Sequence, residues 1–220
     1  SKSLPVDTFF QNVLYDKKIG YYNTKIPFGD KGDFITAPKI SNLFSEIISI
    51  WFILTWQKLG KPKNFNIIEL GPGDGDLIKV ILKVFKKFPY FNSVKKIYLY
   101  EESNFLKKLQ KKNLKSEKVE WISNFNKIKK GPVVIFGNEF LDALPIKQFK
   151  KFNGQVFERH ALYDKNKVSF IFKKASKSEV NKLKRYQLFR KSGLIEYPEY
   201  GFNELGNIFN IIQKHNGGVL

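Results

Sequence analysis

The sequence predicts an α/β fold in which a parallel sheet carries helices on both faces. Two patterns lead there. From Phe65 to Gly137 short apolar runs alternate with helical periodicity, and a glycine-rich turn joins the first of those runs to the first helix. Strands that alternate with helices need crossover connections, and their right-handedness leaves few topologies.

The elements follow in order. Val6 to Tyr15 has apolar residues at helical spacing, and Leu43 to Leu59 does so more strongly, with Ser41 as N-cap and Gly60-Lys61-Pro62 as the stop. Between them lies an irregular segment, Gly20 to Lys39, rich in Gly, Pro, Asp and Thr; long loops of this kind inside compact domains are often functional. The alternating region then reads as strand Asn66 to Leu70, helix Asp76 to Phe88, strand Lys96 to Tyr100, helix Asn104 to Asn113, strand Lys118 to Ile122 and strand Pro132 to Gly137. After Pro145 come three strand-like runs, Ile146 to Phe152, Val156 to Tyr163 and Val168 to Lys173. Their separators, Asn153-Gly154 and Asp164-Lys165-Asn166, mark hairpins. Helices over Ser178 to Lys191 and Phe202 to Lys214 complete the pattern. Residues 1–64 are thus expected to form an N-terminal helical and loop extension, 65–145 the α/β core, and 146–220 a small β-hairpin and helical insertion that leads back to the core.

Composition narrows the function. With 42% hydrophobic and 16% aromatic residues, the chain is too apolar to be disordered. Cysteine is absent, which rules out disulfides and thiolate metal sites and fits a reducing compartment; two histidines, His160 and His215, make a poor basis for a metal centre. No apolar run reaches the roughly 18 residues of a membrane span, and the richest stretch, Ile47 to Trp56, reads as a buried helix face. The N-terminus does not resemble a secretory signal. A formal charge of +19 suggests nucleic acid or an anionic surface. Yet only Arg159, Arg185 and Arg190 are arginine, and the lysines are interspersed with Asn, Ile and Phe along the whole chain, as in a compositionally biased genome. A selected nucleic-acid site concentrates charge and uses arginine, so the lysines are read as solvated surface.

The chemistry centres on Glu69-Leu70-Gly71-Pro72-Gly73-Asp74-Gly75. Glycines in such a turn let backbone N–H groups approach a ligand. The dinucleotide fingerprint is not matched, because the third glycine comes one residue early. Glu69 falls at the carboxyl end of its strand, where open α/β sheets bind ligands. A carboxylate there repels a pyrophosphate and attracts a cationic amino-acid moiety, which favours S-adenosylmethionine (SAM) over a nicotinamide dinucleotide. The next strand ends in Tyr100-Glu101-Glu102, and a carboxylate at Glu101 can accept from both ribose hydroxyls; the alternative is an acidic pair that favours a helix N-terminus.

Three blocks resemble the MidA-type methyltransferase family: Gly20-Tyr21-Tyr22 followed by Gly32-Asp33-Phe34-Ile35-Thr36-Ala37-Pro38; Glu69 to Gly75; and Asn138-Glu139-Phe140-Leu141-Asp142-Ala143-Leu144-Pro145. The resemblance implies a class I, Rossmann-like fold, SAM as cofactor and, from the mitochondrial members, symmetric dimethylation of an arginine in a respiratory complex I subunit. It also implies a bacterial cytoplasmic or a mitochondrial matrix location, and a domain that continues past Leu220 with further strands. Methionine is absent even at position 1, and Asn216 to Leu220 reads as a turn feeding a strand that stops after two residues, so a fragment is expected. The chain departs from the family pattern at Lys39, usually Glu, at Leu141, usually Phe, and at Asp74, often Arg.

Within this framework Glu69, Gly71, Pro72, Gly73, Gly75 and Glu101 are candidates to hold SAM. Asp33 and Thr36 are candidates to fold over it, or else form a polar surface turn. Arginine is a poor nucleophile, protonated and delocalised. A carboxylate that fixes the guanidinium plane and draws charge to its other nitrogens improves one of them, and Glu139 is the candidate for that role, with Asp142 as second carboxylate and Asn138 holding SAM or the loop. The alternative is structural: Asn138 as an N-cap, with Glu139 and Asp142 in a first helical turn. A noncatalytic SAM-binding assembly factor and an RNA methyltransferase are the rival functions.

Overall fold

A computed structural model describes residues 3–25, 27, 33, 41–188 and 193–219. In chain order the elements are β1 (Ser3–Pro5), α1 (Val6–Tyr15), α2 (Tyr21–Thr24), α3 (Asn42–Lys58), β2 (Phe65–Leu70), α4 (Asp76–Phe85), α5 (Pro89–Val94), β3 (Lys95–Tyr100), α6 (Asn104–Asn113), β4 (Glu120–Ile122) and β5 (Val133–Phe136). There follow β6 (Lys147–Phe152), β7 (Gln155–Asp164), β8 (Lys167–Lys174), α7 (Lys177–Arg185), β9 (Leu194–Tyr197), α8 (Glu199–His215) and β10 (Gly218–Val219). Two compact units result. One comprises Ser1–Asp16 with Leu141–Gly206, the other Lys17–Phe140 with Asn207–Leu220. The first 64 residues are therefore divided between the units at Asp16.

The larger unit is the expected parallel sheet, ordered β10-β5-β2-β3-β4. At the centre, Ile67 of β2 lies opposite Ile97 of β3 on one side and Val134 of β5 on the other. The chain steps outward from β2 to β3 to β4 and then returns past β2 to β5. Strand order thus reverses between β2 and β5, which opens a crevice over their carboxyl ends. All six residues of β2 are buried, as a strand covered on both faces requires. On one face Phe65, Ile67 and Phe136 meet Phe52 of α3 and the apolar stripe Leu77, Ile78, Ile81, Leu82 and Phe85 of α4. Edge-on aromatic pairs organise this core, with ring centroids 5.0 Å apart for Phe52–Phe136 and 4.8 Å for Phe85–Phe91. On the other face Ile68, Leu70, Tyr98, Tyr100 and Ile135 pack with Ile208 of α8.

Helix α3 begins where expected: the Ser41 hydroxyl accepts from the Leu43 N–H at 3.1 Å. It is apolar on two faces. Ser45, Ser49, Phe52, Ile53 and Trp56 are buried, whereas Leu43, Ile47, Ile50, Trp51 and Leu54 are exposed. The run Ile47 to Trp56, expected as a buried face, therefore supplies both an inner and an outer one. The helix expected over Asp76 to Phe88 stops at Phe85, because Pro89 disfavours helical geometry at Phe88 (φ −122°, ψ 78°) and itself starts α5.

The smaller unit is an antiparallel sheet, β1-β7-β6-β9, with β8 along the other edge of β7. Both expected hairpins form through two-residue turns: Asn153 (φ +45°) with Gly154 (φ +74°), and Lys165 (φ +45°) with Asn166 (φ +62°). Positive φ at both positions matches the twist of the flanking strands. β1 and β9 escape sequence reading. They are short, and each is defined by long-range pairing, Leu4 with Ala161 and Phe149 with Ile195. The charged helix expected over Ser178 to Lys191 ends at Arg185, and Gln187 turns left-handed (φ +55°) just beyond.

Phe149, Val156, Leu183, Ile195 and Tyr197 form the apolar core of this unit. Beside it lies a buried ion cluster. The Lys147 ammonium stands 3.2 Å from Asp7, 3.4 Å from Glu158, 3.8 Å from Glu199 and 3.9 Å from Glu179. Burial alone disfavours its charge, but Asp7, Glu158 and Glu179 outweigh that penalty and hold its pKa above the ordinary lysine value. Lys182 bridges Glu179 and Glu199 and supplies further positive charge.

The two faces of α3 give a direct test. Phe52→Ala removes a fully buried ring and should cost about 3–5 kcal/mol of unfolding free energy, whereas Ile47→Ala should stay within about 0.5 kcal/mol of the parent. Equal losses in urea denaturation would show that the helix is oriented otherwise.

Candidate functional site

The glycine turn is shaped by backbone geometry that glycine alone adopts readily. Gly71, Gly73 and Gly75 have φ of +57°, +58° and +87°, and the Gly75 N–H closes the turn on the Pro72 carbonyl at 2.8 Å. A Cβ at Gly71 would lie 2.9 Å from Cδ2 of Phe140, so the ring that follows β5 rests directly on the turn that follows β2. Phe140 also meets Tyr100 edge-on, at 6.3 Å between centroids. The ends of β2, β3 and β5 thus converge at the point where strand order reverses.

Glu69 occupies the floor of this convergence. It is 2% exposed, and its Oε2 has no hydrogen-bond partner among the described residues. Burial, with a smaller contribution from Asp74, pushes its carboxyl up to about 8. A buried acid next to Asp74, with Asp76 in the first turn of α4, is a poor place for a phosphate and a good one for a cation. The residues present therefore fit an amino-acid cofactor with a positively charged group.

Glu101 lies at the end of β3 and is buried, whereas Glu102 is exposed. Its Oε1 accepts from the Ser103 N–H at 2.9 Å and its Oε2 from the Gln110 amide at 3.1 Å. Burial raises its pKa, and these two hydrogen bonds oppose the rise by favouring the carboxylate. Ser103 caps α6 by accepting from Leu106 N–H, and its hydroxyl reaches the Tyr22 carbonyl and Asn23 Oδ1, each at 2.8 Å. The Gly20-Tyr21-Tyr22 block thereby stands over the same acid, close enough that Glu101 contributes to the raised pKa of Tyr22, after burial.

The third block departs from its structural alternative. Asn138 caps no α-helix, and Glu139 is exposed in the left-handed region at φ +58°, which a first helical turn does not allow. Such a conformation is uncommon outside glycine and asparagine, and strained backbone gathers at functional sites. Asp142 is also exposed, in the 3-10 turn Leu141–Ala143, which belongs to the smaller unit, whereas Asn138 and Glu139 belong to the larger one. Asp33 is exposed and accepts a short hydrogen bond from the Tyr21 hydroxyl. Thr36 lies outside the described residues, as does Lys39.

Sequence reasoning missed Ser103 and Gln110. One signal was available: Leu106, Gln110 and Leu114 follow helical spacing and all three are buried, so an amide occupies a place in an apolar stripe. Among the described residues no group of acids and histidines could hold a metal ion, and no helix is long and apolar enough to cross a membrane.

Comparison with known proteins identifies the family and the fold. Residues 47–218 match a family model described as "Putative S-adenosyl-L-methionine-dependent methyltransferase". The chain is 34% identical over 175 residues to the human mitochondrial protein arginine methyltransferase NDUFAF7, covering 67% of this chain and 39% of that protein. It is 31% identical over 174 residues to the Drosophila melanogaster homolog, covering 69% and 40%. A Burkholderia thailandensis protein of the COG1565 superfamily, crystallised with S-adenosyl-homocysteine, shares the fold with a TM-score of 0.77 at 22% identity, over 94% of this chain and 55% of that one. The chain thus spans about two fifths of the length of these curated relatives. With the family model matched over most of its residues, the chain belongs to the MidA-type family of SAM-dependent methyltransferases.

Proposed function

We propose that this chain carries the cofactor site and the acceptor-orienting carboxylate of a methyltransferase that modifies an arginine side chain of a partner protein, a respiratory complex I subunit being the candidate that the sequence resemblance implies. The buried Glu69, whose Oε2 has no partner among the described residues, carries the reading, because a cationic ligand would favour its ionised form where the sheet has its crevice. The arginine acceptor is supported by the names of the human and Drosophila relatives.

SAM, when bound, supplies a methyl group on a positively charged sulfur. Glu69 faces the cationic amino-acid end, Gly71, Pro72, Gly73 and Gly75 let backbone approach it, and Glu101 accepts from the ribose hydroxyls. Asn138 steadies the loop after β5. Glu139 accepts hydrogen bonds from two guanidinium nitrogens, fixes the plane and draws positive charge toward them, which leaves the third nitrogen the better nucleophile. Asp142 keeps the candidate role of second carboxylate, and Asp33 and Thr36 the candidate role of folding over the cofactor.

Two measurements test this in the full-length protein. A bound cation favours ionised Glu69, so below its free-state pKa of about 8 binding must expel a proton. Affinity for S-adenosyl-homocysteine should therefore rise with pH from about 6.5 to 8 and level off above, with proton release visible by calorimetry in buffers of different ionisation enthalpy. Glu69→Gln should flatten the profile; an unchanged slope in that variant would remove Glu69 from the site.

Glu139→Gln should leave S-adenosyl-homocysteine affinity within a few-fold of the parent while methyl incorporation into an arginine-bearing partner, followed by mass spectrometry, falls about 10²–10⁴-fold. Near-parent turnover would exclude the role. Tight cofactor binding by the parent without transfer to any partner would favour a noncatalytic assembly factor.

A further inference from the structure

Helix α6 reads the backbone of the glycine turn. Gln110 is fully buried, and its amide orientation is fixed by chemistry: the Trp121 indole N–H, which can only donate, points at Gln110 Oε1 from 2.8 Å. The amide nitrogen must then face the other way. There it donates one hydrogen to the Gly73 carbonyl at 2.8 Å and the other to Glu101 Oε2 at 3.1 Å. One helical turn on, Asn113 Nδ2 donates to the Asp74 carbonyl at 2.9 Å. A single amide therefore ties the turn after β2 to the acid after β3, with both of its hydrogens used.

We propose that Gln110 is a positioning residue that sets the separation between the glycine turn and Glu101, and so matches the site to the distance between the amino-acid end and the ribose of the cofactor. This rests on the reading of the site as a SAM site. The geometry needs an amide. A carboxylate at 110 would face both a carbonyl and another carboxylate, and a lysine or arginine would find no acceptor for Trp121. Methionine fills similar volume but leaves the Gly73 carbonyl, Glu101 Oε2 and the Trp121 N–H each without a partner.

The charged and titratable groups that act on Glu101 are Lys107 from α6 and Tyr22 from α2, beside the neighbouring Glu102, whose backbone N–H donates to it. Substituting Gln110→Glu adds a carboxylate at hydrogen-bond distance from Glu101. Two carboxylates so close share a proton more readily than both ionise. The shared proton restores the 110–101 hydrogen bond but not the one to Gly73.

The test measures S-adenosyl-homocysteine binding by calorimetry at pH 6 and pH 8 in the full-length protein and in the Gln110→Met and Gln110→Glu variants, with circular dichroism and thermal melts confirming that each is folded. Relative to the parent at the same pH, Gln110→Met should bind about tenfold or more weakly at both values. Gln110→Glu should show a larger deficit at pH 8 than at pH 6, a pH signature that loss of packing alone does not produce. Folded variants that bind within twofold of the parent at both pH values would overturn the role and leave the cofactor reading intact. A parent that fails to bind S-adenosyl-homocysteine would overturn both.

Discussion

The whole arrangement depends on β2, a strand buried on both faces and paired on both edges. Its backbone is fully occupied by the sheet, so any polar side chain it carries must be answered by something other than water. The amide nitrogen of Asn66, at its start, donates to the Lys129 carbonyl at 2.9 Å and ties β2 to the loop that leads into β5, while its buried Oδ1 has no partner among the described residues. Glu69, at its end, has its Oε2 buried without a partner among the described residues. One polar residue thus anchors a loop at the start of the strand, while the other, three positions on, sets at its end a buried carboxyl pushed up to about 8, whose ionised form a bound cation would favour.

The contrast with the smaller unit is informative. Lys147 is as buried as Glu101, yet Asp7, Glu158, Glu179 and Glu199 surround it from four different elements. In that cluster each of the four acids lies within ion-pair distance of Lys147, and Lys182 adds a second cation, so the group serves cohesion. Breaking a buried group of this sort costs more than its net contribution, because the partners are left charged and dry. Glu69 has no such company, and that difference separates a structural acid from a candidate binding acid more sharply than burial does.

What could be read from the sequence follows from the range of the forces involved. Helices and the glycine turn are decided within a few residues, so Ser41 and Gly71 to Gly75 announce themselves. β1 and β9 depend on partners more than forty residues away and carry too little pattern to declare their pairing. Glu69 and Glu101 were legible because strand ends in an α/β pattern have a known meaning. Gln110 was not, since its value comes from meeting Gly73, Trp121 and Glu101 at once. The left-handed backbone at Glu139 was likewise invisible, since local preference there favours a helix start and only packing of Phe140 on Gly71 accompanies the alternative.

The outer face of α3 sets how the chain behaves as a colloid. Leu43, Ile47, Ile50, Trp51 and Leu54 are exposed apolar residues on one side of this helix, beside the exposed Glu46, in a chain of formal charge +19. At low ionic strength copies repel one another over tens of ångströms, and the apolar side goes unused. At about 0.15 M salt the screening length shrinks to about 8 Å, shorter than the helix itself, and short-range attraction between apolar sides is no longer opposed. The net charge and this apolar side of the helix thus act in opposite senses, and added salt weakens only the first.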